Sequence, residues 1–579
     1  MSGMESKKDI GAVCVAKDAT LQDVLMVIGR NRSAASGIPA GIALVVDKGR
    51  KLLGIVTSGD LTRAMVAGRA LTEPVSAIMN TKPFVIEGKA SAQEIIRRVV
   101  NETREHGWPK GRLDKIIMVD EQHRVTDLLS IHDLWQASDI RLKKVGVVGL
   151  GYVGLTLALT LADLGFEVRG FDINEKVRKL VAAKKAPFFE LGLPELLAEH
   201  VGKHFKVASS FADERCDVYF IAVGTPVGEG KRKKPDLSAL QAVAESIGEV
   251  LKQGDLVVLR STVPIGTTRD VVTPILEKHS ALTAGEDFFI AFAPERTVEG
   301  KALEELRTLP QVIGGINRMG ANLASDIFNL MTHTIHIVDS LEEAEVVKLI
   351  NNTYRDVTFA FANEVSLICQ RWGIDTNTVV NAANAGYPRS SVPKPSPGVG
   401  GYCLDKDPYI FMEGGRAKKY AAKLFEHARA VNTRILEMVA ERVVEHLATF
   451  GTRQKKDHKI FILGFAFKGK PATSDLRGSP TIALTKMLQK AGYKNIWGFD
   501  PVVASTELTG LGVHTVSDMK AGFKGAHAVI IMNNHEDLAS PRIQVLLKEC
   551  APGAMFFDTW ALHGKDDIAK IDGISYHRL

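Results

Sequence analysis

"RLKKVGVVGLGYVGLTLALTLADLGFEVRGFDIN", residues 141–174, is the stretch that decides the fold of most of this chain. An apolar strand, Val145 to Val148, leads into a glycine-containing turn and then into a helix rich in alanine and leucine. The glycines are Gly149, Gly151 and Gly154. Glycine at these positions permits a tight turn and lets a pyrophosphate approach the helix N-terminus. The pattern therefore predicts a doubly wound α/β domain that binds a dinucleotide.

A second strand in the same stretch ends at Asp172. Its carboxylate can accept hydrogen bonds from the ribose hydroxyls of adenosine, and it would repel a 2′-phosphate. We therefore expect NAD rather than NADP as the cofactor. The alternative is a glycine-rich turn without a nucleotide, which is disfavoured because strand, helix and distal acid occur together.

Three later apolar runs extend this domain, which we expect to cover residues 141–338. They are "CDVYFIAVGTP" at 216–226, "DLVVLRSTVPIGTT" at 255–268 and "FFIAFAPER" at 288–296. Each run ends in turn or polar residues, as strands do at the ligand-binding edge of a parallel sheet.

The remainder of the chain changes pattern twice. Residues 339–450 have helical periodicity, and the segment 341–373 predicts a long central helix that could pack in a dimer. After a charged linker, "IFILGFAFKG" and "AHAVIIMNNHE" indicate strands of a second Rossmann-like domain over 451–579.

The first 140 residues contain an internal repeat. "GIALVVDKGRKLLGIVTSGDLTRAM" and "DKIIMVDEQHRVTDLLSIHDLW" each place a strand, a turn, a second strand and a helix start in the same order. Each copy ends in a hydroxyl residue followed three positions later by aspartate: Thr57 with Asp60, and Ser130 with Asp133. Such a pair can cap the helix, or it can hold the ribose and phosphate of a nucleotide. The order and spacing resemble a tandem CBS module, an α+β unit that often binds adenine nucleotides, over residues 1–140.

Composition narrows the class of protein. The 579 residues are 45% hydrophobic and 24% charged, with a net charge of +6, as in an ordinary globular protein of several domains. There is no basic stripe with interleaved aromatic residues and no long apolar run, so we expect neither nucleic acid nor a membrane as partner. Five scattered cysteines suit reduced thiols in a cytoplasm, and no cluster has metal-ligand spacing.

The segment "PGVGGYCLDKDPY", residues 397–409, places Cys403 shortly after three glycines and before Asp405, Lys406 and Asp407. A cysteine that only fills a core is expected in an apolar strand or helix. The segment therefore indicates a thiol that a ligand can reach, beside charges that can tune its pKa. The alternative is a tight turn in which the cysteine is incidental.

A dinucleotide domain and a thiol together suggest a two-step oxidation. An alcohol is oxidised to an aldehyde, the thiolate traps it as a thiohemiacetal, and a second oxidation leaves a thioester that water hydrolyses. Lys348 and Asn352 lie four residues apart on one helix face and could stabilise an oxyanion. Asp407 could orient or deprotonate a water. The alternative for Lys348 and Asn352 is the solvent face of an amphipathic helix.

From residue 142 to 579 the chain resembles the UDP-glucose/GDP-mannose dehydrogenase family of nucleotide-sugar 6-dehydrogenases. The resemblance lies in the ordered motifs "GLGYVG", "VGTPV", "STVPIGTT", "APER", "KLINNTYR", "GVGGYCLDKDP", "GFAFKG" and "DLRGSP". The chain departs from the family pattern in a longer spacer between Lys468 and Asp475. It also has Trp560 where some UDP-glucose enzymes carry an arginine.

The resemblance implies a role for each matching residue. Cys403 would be the nucleophile, Lys348 and Asn352 the oxyanion pair, and Glu295 an acid/base, with Asp407 and Thr262 handling water. Lys468 and Arg477 would meet the nucleotide diphosphate. The further residues implied for the cofactor are Tyr152, Val153, Thr225 and Thr262, and those implied for the substrate are Arg389 and Gly400.

The expected architecture is two Rossmann-like domains joined by a central helical domain and preceded by the CBS module, in a homo-oligomer. The expected substrate is a UDP-sugar, with an adenine nucleotide as effector. "PER" at 294–296 and "YPR" at 387–389 favour a UDP-N-acetylhexosamine such as UDP-N-acetylmannosamine, whereas Lys406 is a feature of the UDP-glucose branch. The alternatives are therefore a UDP-glucose 6-dehydrogenase and a nucleotide-sensing protein without catalysis.

Overall fold

The structure is a computed structural model that describes residues 9–30, 41–88, 95, 98, 115–130, 140–228, 233–389, 391–451 and 454–579. No described helix combines the length and the hydropathy that a membrane span requires.

Two three-stranded sheets near the N-terminus share one topology. Their strands are β1 (Cys14–Ala16), β2 (Ile42–Val46), β3 (Leu52–Thr57), β4 (Val85–Glu87), β5 (Lys115–Val119) and β6 (Val125–Ser130), and the helices are α1 (Leu21–Arg30) and α2 (Ser58–Val66). In each sheet the first strand is parallel to the second and the second is antiparallel to the third. The register shifts at Val45/Val46 in one sheet and at Met118/Val119 in the other. Residues of both copies form one apolar core, so the repeat predicted from the sequence is present.

The dinucleotide domain is built on an eight-stranded sheet. Its strands are β7 (Lys144–Val148), β8 (Glu167–Phe171), β9 (Phe205–Ala208), β10 (Val218–Ile221), β11 (Leu256–Leu259), β12 (Phe289–Phe292), β13 (Gln311–Gly315) and β14 (Ile335–Val338). The helices are α3 (Tyr152–Asp163), α4 (Glu175–Ala182), α5 (Leu193–His200), α6 (Ser238–Gly248), α7 (Thr273–Ser280), α8 (Ala302–Thr308) and α9 (Arg318–Asn329).

Strand order fixes where a ligand can bind in this domain. The order β9-β8-β7-β10-β11-β12 is parallel throughout and is that of a doubly wound fold, with β13 added antiparallel to β12 and β14 added parallel to β13. From β7 the chain adds β8 and β9 on one side of the sheet and then β10, β11 and β12 on the other side. Ligands bind at the carboxyl ends of the strands at the point where the order of addition reverses, which here is between β7 and β10. The four-residue strands β10, β11 and β12 are buried throughout, which explains their uninterrupted apolar sequences.

The central domain consists of α10 (Leu341–Arg371), α11 (Thr376–Asn384), α12 (Tyr402–Ala417) and α13 (Lys423–Ala448). Helix α10 begins after Ser340, whose hydroxyl accepts a hydrogen bond from the Glu343 amide at 3.1 Å. It packs against α12 and α13. Its buried side includes polar residues, Lys348, Asn352 and Asp356 among them. A long helix with a polar buried side is unusual and points to a site rather than to a simple core.

The last domain repeats the doubly wound order. Its strands are β15 (Ile460–Leu463), β16 (Ile496–Phe499), β17 (His514–Thr515), β18 (Ala528–Ile531), β19 (Ala554–Asp558) and β20 (Ile574–Arg578), and its helices are α14 (Pro480–Lys490), α15 (Ser505–Thr509), α16 (Met519–Phe523), α17 (Arg542–Leu546) and α18 (Lys565–Ile568). The order β17-β16-β15-β18-β19-β20 is entirely parallel. The α/β architecture expected from the sequence, with two such domains around a helical one, is thereby confirmed.

Candidate active site

The glycine turn after β7 has the close packing that a dinucleotide cradle requires. Gly149 has a φ of +92°, and a Cβ on it would lie 2.8 Å from the Ala222 carbonyl oxygen. A Cβ on Gly154 would lie 1.7 Å from the Gly149 carbonyl oxygen. Larger residues would therefore force the turn away from the N-terminus of α3, where a pyrophosphate is stabilised by backbone amides. Gly151, the residue before this helix, has room for a Cβ and serves as its N-cap.

Asp172 lies just beyond β8 at the carboxyl edge of the sheet. One carboxylate oxygen accepts the Leu150 amide at 2.7 Å and the other accepts the Asn174 amide at 2.7 Å. The first bond ties Asp172 to the glycine turn, so the acid and the turn keep a fixed relation. The position agrees with a contact to the cofactor ribose, which stays a prediction.

Cys403 is an exposed residue in the first turn of α12. The glycines before it accommodate the last domain: a Cβ on Gly400 would lie 2.5 Å from Pro480, and one on Gly401 would lie 2.6 Å from the Phe467 ring. The glycines thus let the segment that carries Cys403 pack against the last domain. The substrate contact that the resemblance implies for Gly400 stays a prediction.

Charged groups surround the Cys403 thiol. Desolvation by the surrounding protein, and secondly Asp407, raise its pKa, whereas Lys348 and Lys406 oppose that rise. The thiol therefore rests protonated at neutral pH, and a base must take its proton before it can attack.

Lys348, Asn352 and Asp407 are brought together from two helices. Lys348 and Asn352 are each 8% exposed, which rules out the solvent-face alternative for this pair. The Asn352 amide donates to Asp407 Oδ2 at 2.5 Å, and Lys406 Nζ donates to Asp407 Oδ1 at 2.8 Å. Asp407 is fully buried, so both of its oxygens hold neighbouring side chains in place.

Thr225 and Thr262 follow β10 and β11 at the same edge of the sheet. The Thr225 hydroxyl donates to the Thr262 carbonyl oxygen at 2.5 Å, and Lys406 Nζ lies 3.5 Å from the Thr225 hydroxyl. The predicted cofactor residues and the segment that carries Cys403 thus meet through Lys406, which the sequence had singled out only as a charge near the thiol and as a feature of the UDP-glucose branch.

Glu295 is buried in an ion pair with Arg260, and it also accepts the Thr297 amide at 2.8 Å. Desolvation alone would raise the pKa of this carboxyl, but Arg260 and Thr297 outweigh it and hold the pKa below the usual range. A carboxylate so stabilised is poorly suited to exchange protons near neutral pH. Its acid/base role stays a prediction from the resemblance.

Glu299, which the sequence did not single out, has the opposite environment. Burial, and secondly the nearby Asp475, raise its pKa to about 7 against the influence of Arg477 and Lys468. Its carboxylate lies 3.4 Å from Arg477, and its carbonyl oxygen accepts Lys468 Nζ at 2.7 Å. Its charge also affects the Cys403 thiol. The sequence signal was only a second acid four positions after Glu295.

Arg477 and Tyr152 lie where the last domain meets the dinucleotide domain. Arg477 forms a salt bridge with Asp475 at 2.7 Å and stacks over the rings of Tyr402, at 4.6 Å, and Tyr152, at 5.2 Å. Tyr152 therefore faces the neighbouring domain, while Val153 is the next residue of α3. An arginine stacked on Tyr402, the residue before Cys403, agrees with a diphosphate contact, which stays a prediction.

Two further residues singled out in the sequence are Arg389, implied for the substrate, and Trp560, a departure from the family pattern. Arg389 is exposed and contacts Tyr387, with its guanidinium 5.6 Å from that ring. The Trp560 indole donates to the Met532 carbonyl oxygen at 3.1 Å, so this side chain is tied to the last domain.

In the N-terminal module, Thr57 and Asp60 form a capping box on α2. The Thr57 amide and hydroxyl donate to Asp60 Oδ2 at 2.8 and 2.7 Å, and Arg63 donates to the other carboxylate oxygen. The helix-capping alternative is therefore present in the structure, and nucleotide binding stays a prediction. Ser130 ends β6, and Asp133 lies outside the described residues.

Comparison with known proteins agrees with this arrangement. The UDP-glucose/GDP-mannose dehydrogenase family matches through its NAD binding domain at residues 143–332, its central domain at 342–434 and its UDP binding domain at 461–565. A CBS domain matches residues 8–67.

Individual relatives are similar over most of their length. A UDP-N-acetyl-D-mannosamine dehydrogenase of Pyrococcus horikoshii is 32% identical over 69% of this chain and 90% of its own. An NDP-N-acetyl-D-galactosaminuronic acid dehydrogenase of Ralstonia solanacearum is 32% identical over 69% and 93%. A solved structure of a UDP-D-ManNAc dehydrogenase from Pyrococcus horikoshii superposes with a TM-score of 0.67 at 30% identity, over 75% of this chain and 98% of that one. The chain belongs to the UDP-glucose/GDP-mannose dehydrogenase family and is an NAD-dependent UDP-sugar dehydrogenase with a CBS domain ahead of the family's own domains.

Proposed function

We propose that this enzyme oxidises C6 of a UDP-N-acetylhexosamine, UDP-N-acetylmannosamine first among them, twice to the uronic acid through a covalent bond to Cys403. The observation that carries the proposal is the thiol of Cys403, an exposed residue of α12, beside the buried Lys348, Asn352 and Asp407. A nucleotide sensor without catalysis would have no use for a reachable thiol beside an oxyanion site.

NAD fits the glycine cradle and Asp172, and when bound it accepts the hydride of each oxidation. The chain supplies the remaining chemistry. The Cys403 thiolate attacks C6 of the aldehyde, and Lys348 and Asn352 donate hydrogen bonds to the oxyanion that forms. Loss of the second hydride leaves a thioester on Cys403. Water then attacks the thioester carbon and releases the carboxylate and the free thiol.

Asp407 positions neighbouring side chains, and Glu299 transfers protons. Asp407 holds the Asn352 amide and Lys406 in place, because each of its oxygens accepts one of them. Glu299 takes a proton in turn from the alcohol, the thiol and the attacking water and passes each one to solvent before the next, since a carboxyl with a pKa near 7 exchanges protons readily at neutral pH. Lys468 and Arg477 hold the diphosphate.

A turnover assay with NAD and a panel of UDP-sugars tests the proposal. We expect two NADH per sugar and the highest kcat/KM with UDP-N-acetylmannosamine. A higher kcat/KM with UDP-glucose would establish the alternative that Lys406 supports. No turnover with any UDP-sugar would overturn the proposed function.

We further propose that an adenine nucleotide bound near Thr57 and Asp60 regulates the enzyme. Binding should change sugar oxidation by about 5- to 150-fold, the usual range of allosteric coupling. Calorimetry with AMP, ADP and ATP should show binding that Asp60→Ala removes. Asp23→Ala is the matched control, because Asp23 makes the same cap with Thr20 on α1.

A variant without residues 1–140 separates this effect from competition at the NAD site. It should oxidise the sugar but lose the response to nucleotides. An identical response in the shortened and full chains would show that the module is only an appendage.

We also propose that a second copy of the chain covers the outer side of α10. Large apolar side chains are exposed there at helical spacing: Ile350, Tyr354, Phe361 and Ile368. Burying such a stripe is favourable in water, so the full chain should sediment as a dimer or larger assembly. Phe361→Glu should shift it toward monomer, whereas Val545→Glu, at an exposed position of the last domain, should not. A monomeric wild type would refute the proposal.

A further inference from the structure

Helix α13 carries a buried arginine that the proposed chemistry does not use. Arg429 is 7% exposed and lies between two carboxylates. Its Nη1 donates to Asp356 Oδ1 at 2.7 Å, and its Nη2 donates to Asp405 Oδ1 at 2.7 Å. Asp356 belongs to α10, one turn beyond Asn352, and Asp405 belongs to α12, two residues beyond Cys403. One guanidinium therefore joins the two helices on which the thiol and the oxyanion pair lie.

The bridge has further bonds on each side. Nη1 of Arg429 also lies 3.4 Å from the Leu404 carbonyl oxygen, in the first turn of α12. The Asn432 amide donates to Asp356 Oδ1 at 2.8 Å and to its carbonyl oxygen at 3.1 Å. Asp356 is fully buried, and these bonds offset part of the cost of removing its charge from water. A planar guanidinium can bridge two carboxylates in this way, whereas an ammonium acts as a single point charge.

Helix α13 also helps to fix the beginning of the glycine-rich segment 397–409, which carries Cys403. Asn432 Oδ1 accepts the Asn363 amide at 2.9 Å, and Asn363 Oδ1 accepts the backbone amide of Ser396 at 2.9 Å. A Cβ on Gly398 would lie 3.2 Å from the Asn432 carbonyl oxygen. Helix α13 thus holds the segment at Asp405 directly and at Ser396 through Asn363 of α10, on either side of Cys403.

We propose that Arg429 is a positioning residue that sets the place of the Cys403 thiol relative to Lys348 and Asn352. The proposal rests on the nucleophilic role of Cys403 given above. Thiol and oxyanion donors lie on separate helices, so their relative position depends on what joins those helices. A displacement of about 1 Å in a reacting group can lower a rate on the order of a hundredfold. Arg429 contributes through this placement and touches no reacting atom.

The test uses the full chain with Arg429→Met, Arg429→Lys and Asp405→Asn. We expect Arg429→Met and Asp405→Asn to lower kcat by about ten- to a hundredfold while KM for NAD stays within about twofold. Arg429→Lys should fall between these and the wild type, since it keeps one ion pair. We also expect the rate at which iodoacetamide alkylates Cys403, measured against pH without substrate, to depart from the wild-type rate. The departure should be largest in Arg429→Met and Asp405→Asn and smaller in Arg429→Lys.

Arg434→Met is the matched control. Arg434 lies on the same helix but is exposed and pairs with Glu441 at 2.7 Å, so kcat and alkylation should stay at wild-type values. If Arg429→Met does not fold, Asp405→Asn decides, because it leaves the pair with Asp356 intact. Wild-type kcat and alkylation in a folded Asp405→Asn or Arg429→Met would overturn the proposal. Full turnover by a variant without the Cys403 thiol would instead refute the proposed function.

Discussion

Replacing Cys403 with serine should lower the release of sugar acid by at least ~10³-fold, because the covalent route through a thioester is lost. A serine hydroxyl is hardly ionised even beside Lys348 and Lys406, and an alkoxide is a poorer nucleophile and leaving group than a thiolate. The native thiol also starts protonated, since desolvation and Asp407 raise its pKa. Its advantage therefore appears only when a base removes the proton during turnover.

Steady-state NADH production and mass spectrometry of the intact enzyme measure this effect. Native enzyme stopped during turnover should carry a sugar adduct on Cys403 that the variant does not form. Cys14→Ser is the control, because the Cys14 thiol lies in the N-terminal module and donates to the Ile10 carbonyl oxygen. Native turnover by Cys403→Ser, with no adduct ever found on the wild type, would refute the covalent mechanism.

The fold could be predicted from sequence where a local pattern has one physical solution. Gly149 and Gly154 occupy positions where a Cβ would collide with backbone, so the residue type itself marks the turn. The apolar strands of both Rossmann-like domains are buried on both faces and appear as unbroken apolar runs. Each feature is recorded in the residue types of one short stretch, even where the neighbour that requires it is distant in the chain, and the structure confirms both.

Helix α10 shows the limit of pattern reasoning. Its periodicity alone left two interpretations of Lys348 and Asn352, an oxyanion pair or the solvent face of an amphipathic helix. In the structure Lys348 and Asn352 are buried, whereas the apolar side chains of Ile350 and Tyr354 are exposed. The reason is tertiary, because α12 supplies Asp407, which bonds with Asn352. Periodicity indicates that a helix has two sides but not which side a site will occupy.

Glu299 was missed for the same reason. Its pKa is raised by burial and by Asp475 and opposed by Arg477 and Lys468, and those three partners come from the last domain. Nothing within the local sequence indicates that its pKa differs from that of Glu295, whose pKa is lowered by Arg260. Of these two glutamates in one loop, one has a lowered and the other a raised pKa, and the direction of each shift depends on residues that only the folded domains bring close.

Replacing Glu299 with glutamine should lower kcat/KM by about 10²- to 10⁴-fold at pH 8, the usual contribution of a general base. A base acts only when ionised, so wild-type kcat/KM should rise with pH through about 7 and then level off, following the carboxyl whose pKa is raised to about 7. The amide cannot titrate, and the variant should therefore lose this inflection as well as most of its activity.

The pH profile separates a base from a residue that only holds the domains together. Loss of the contacts that Arg477 and Lys468 make with this loop would weaken sugar binding but would leave the inflection near pH 7 in place. Glu304→Gln is the matched control, because Glu304 is an exposed glutamate on the adjoining α8 and should keep both the rate and the profile. If Glu299→Gln keeps the acidic inflection, the titrating base is another group. Near-native kcat/KM in the variant would likewise exclude Glu299 from proton transfer.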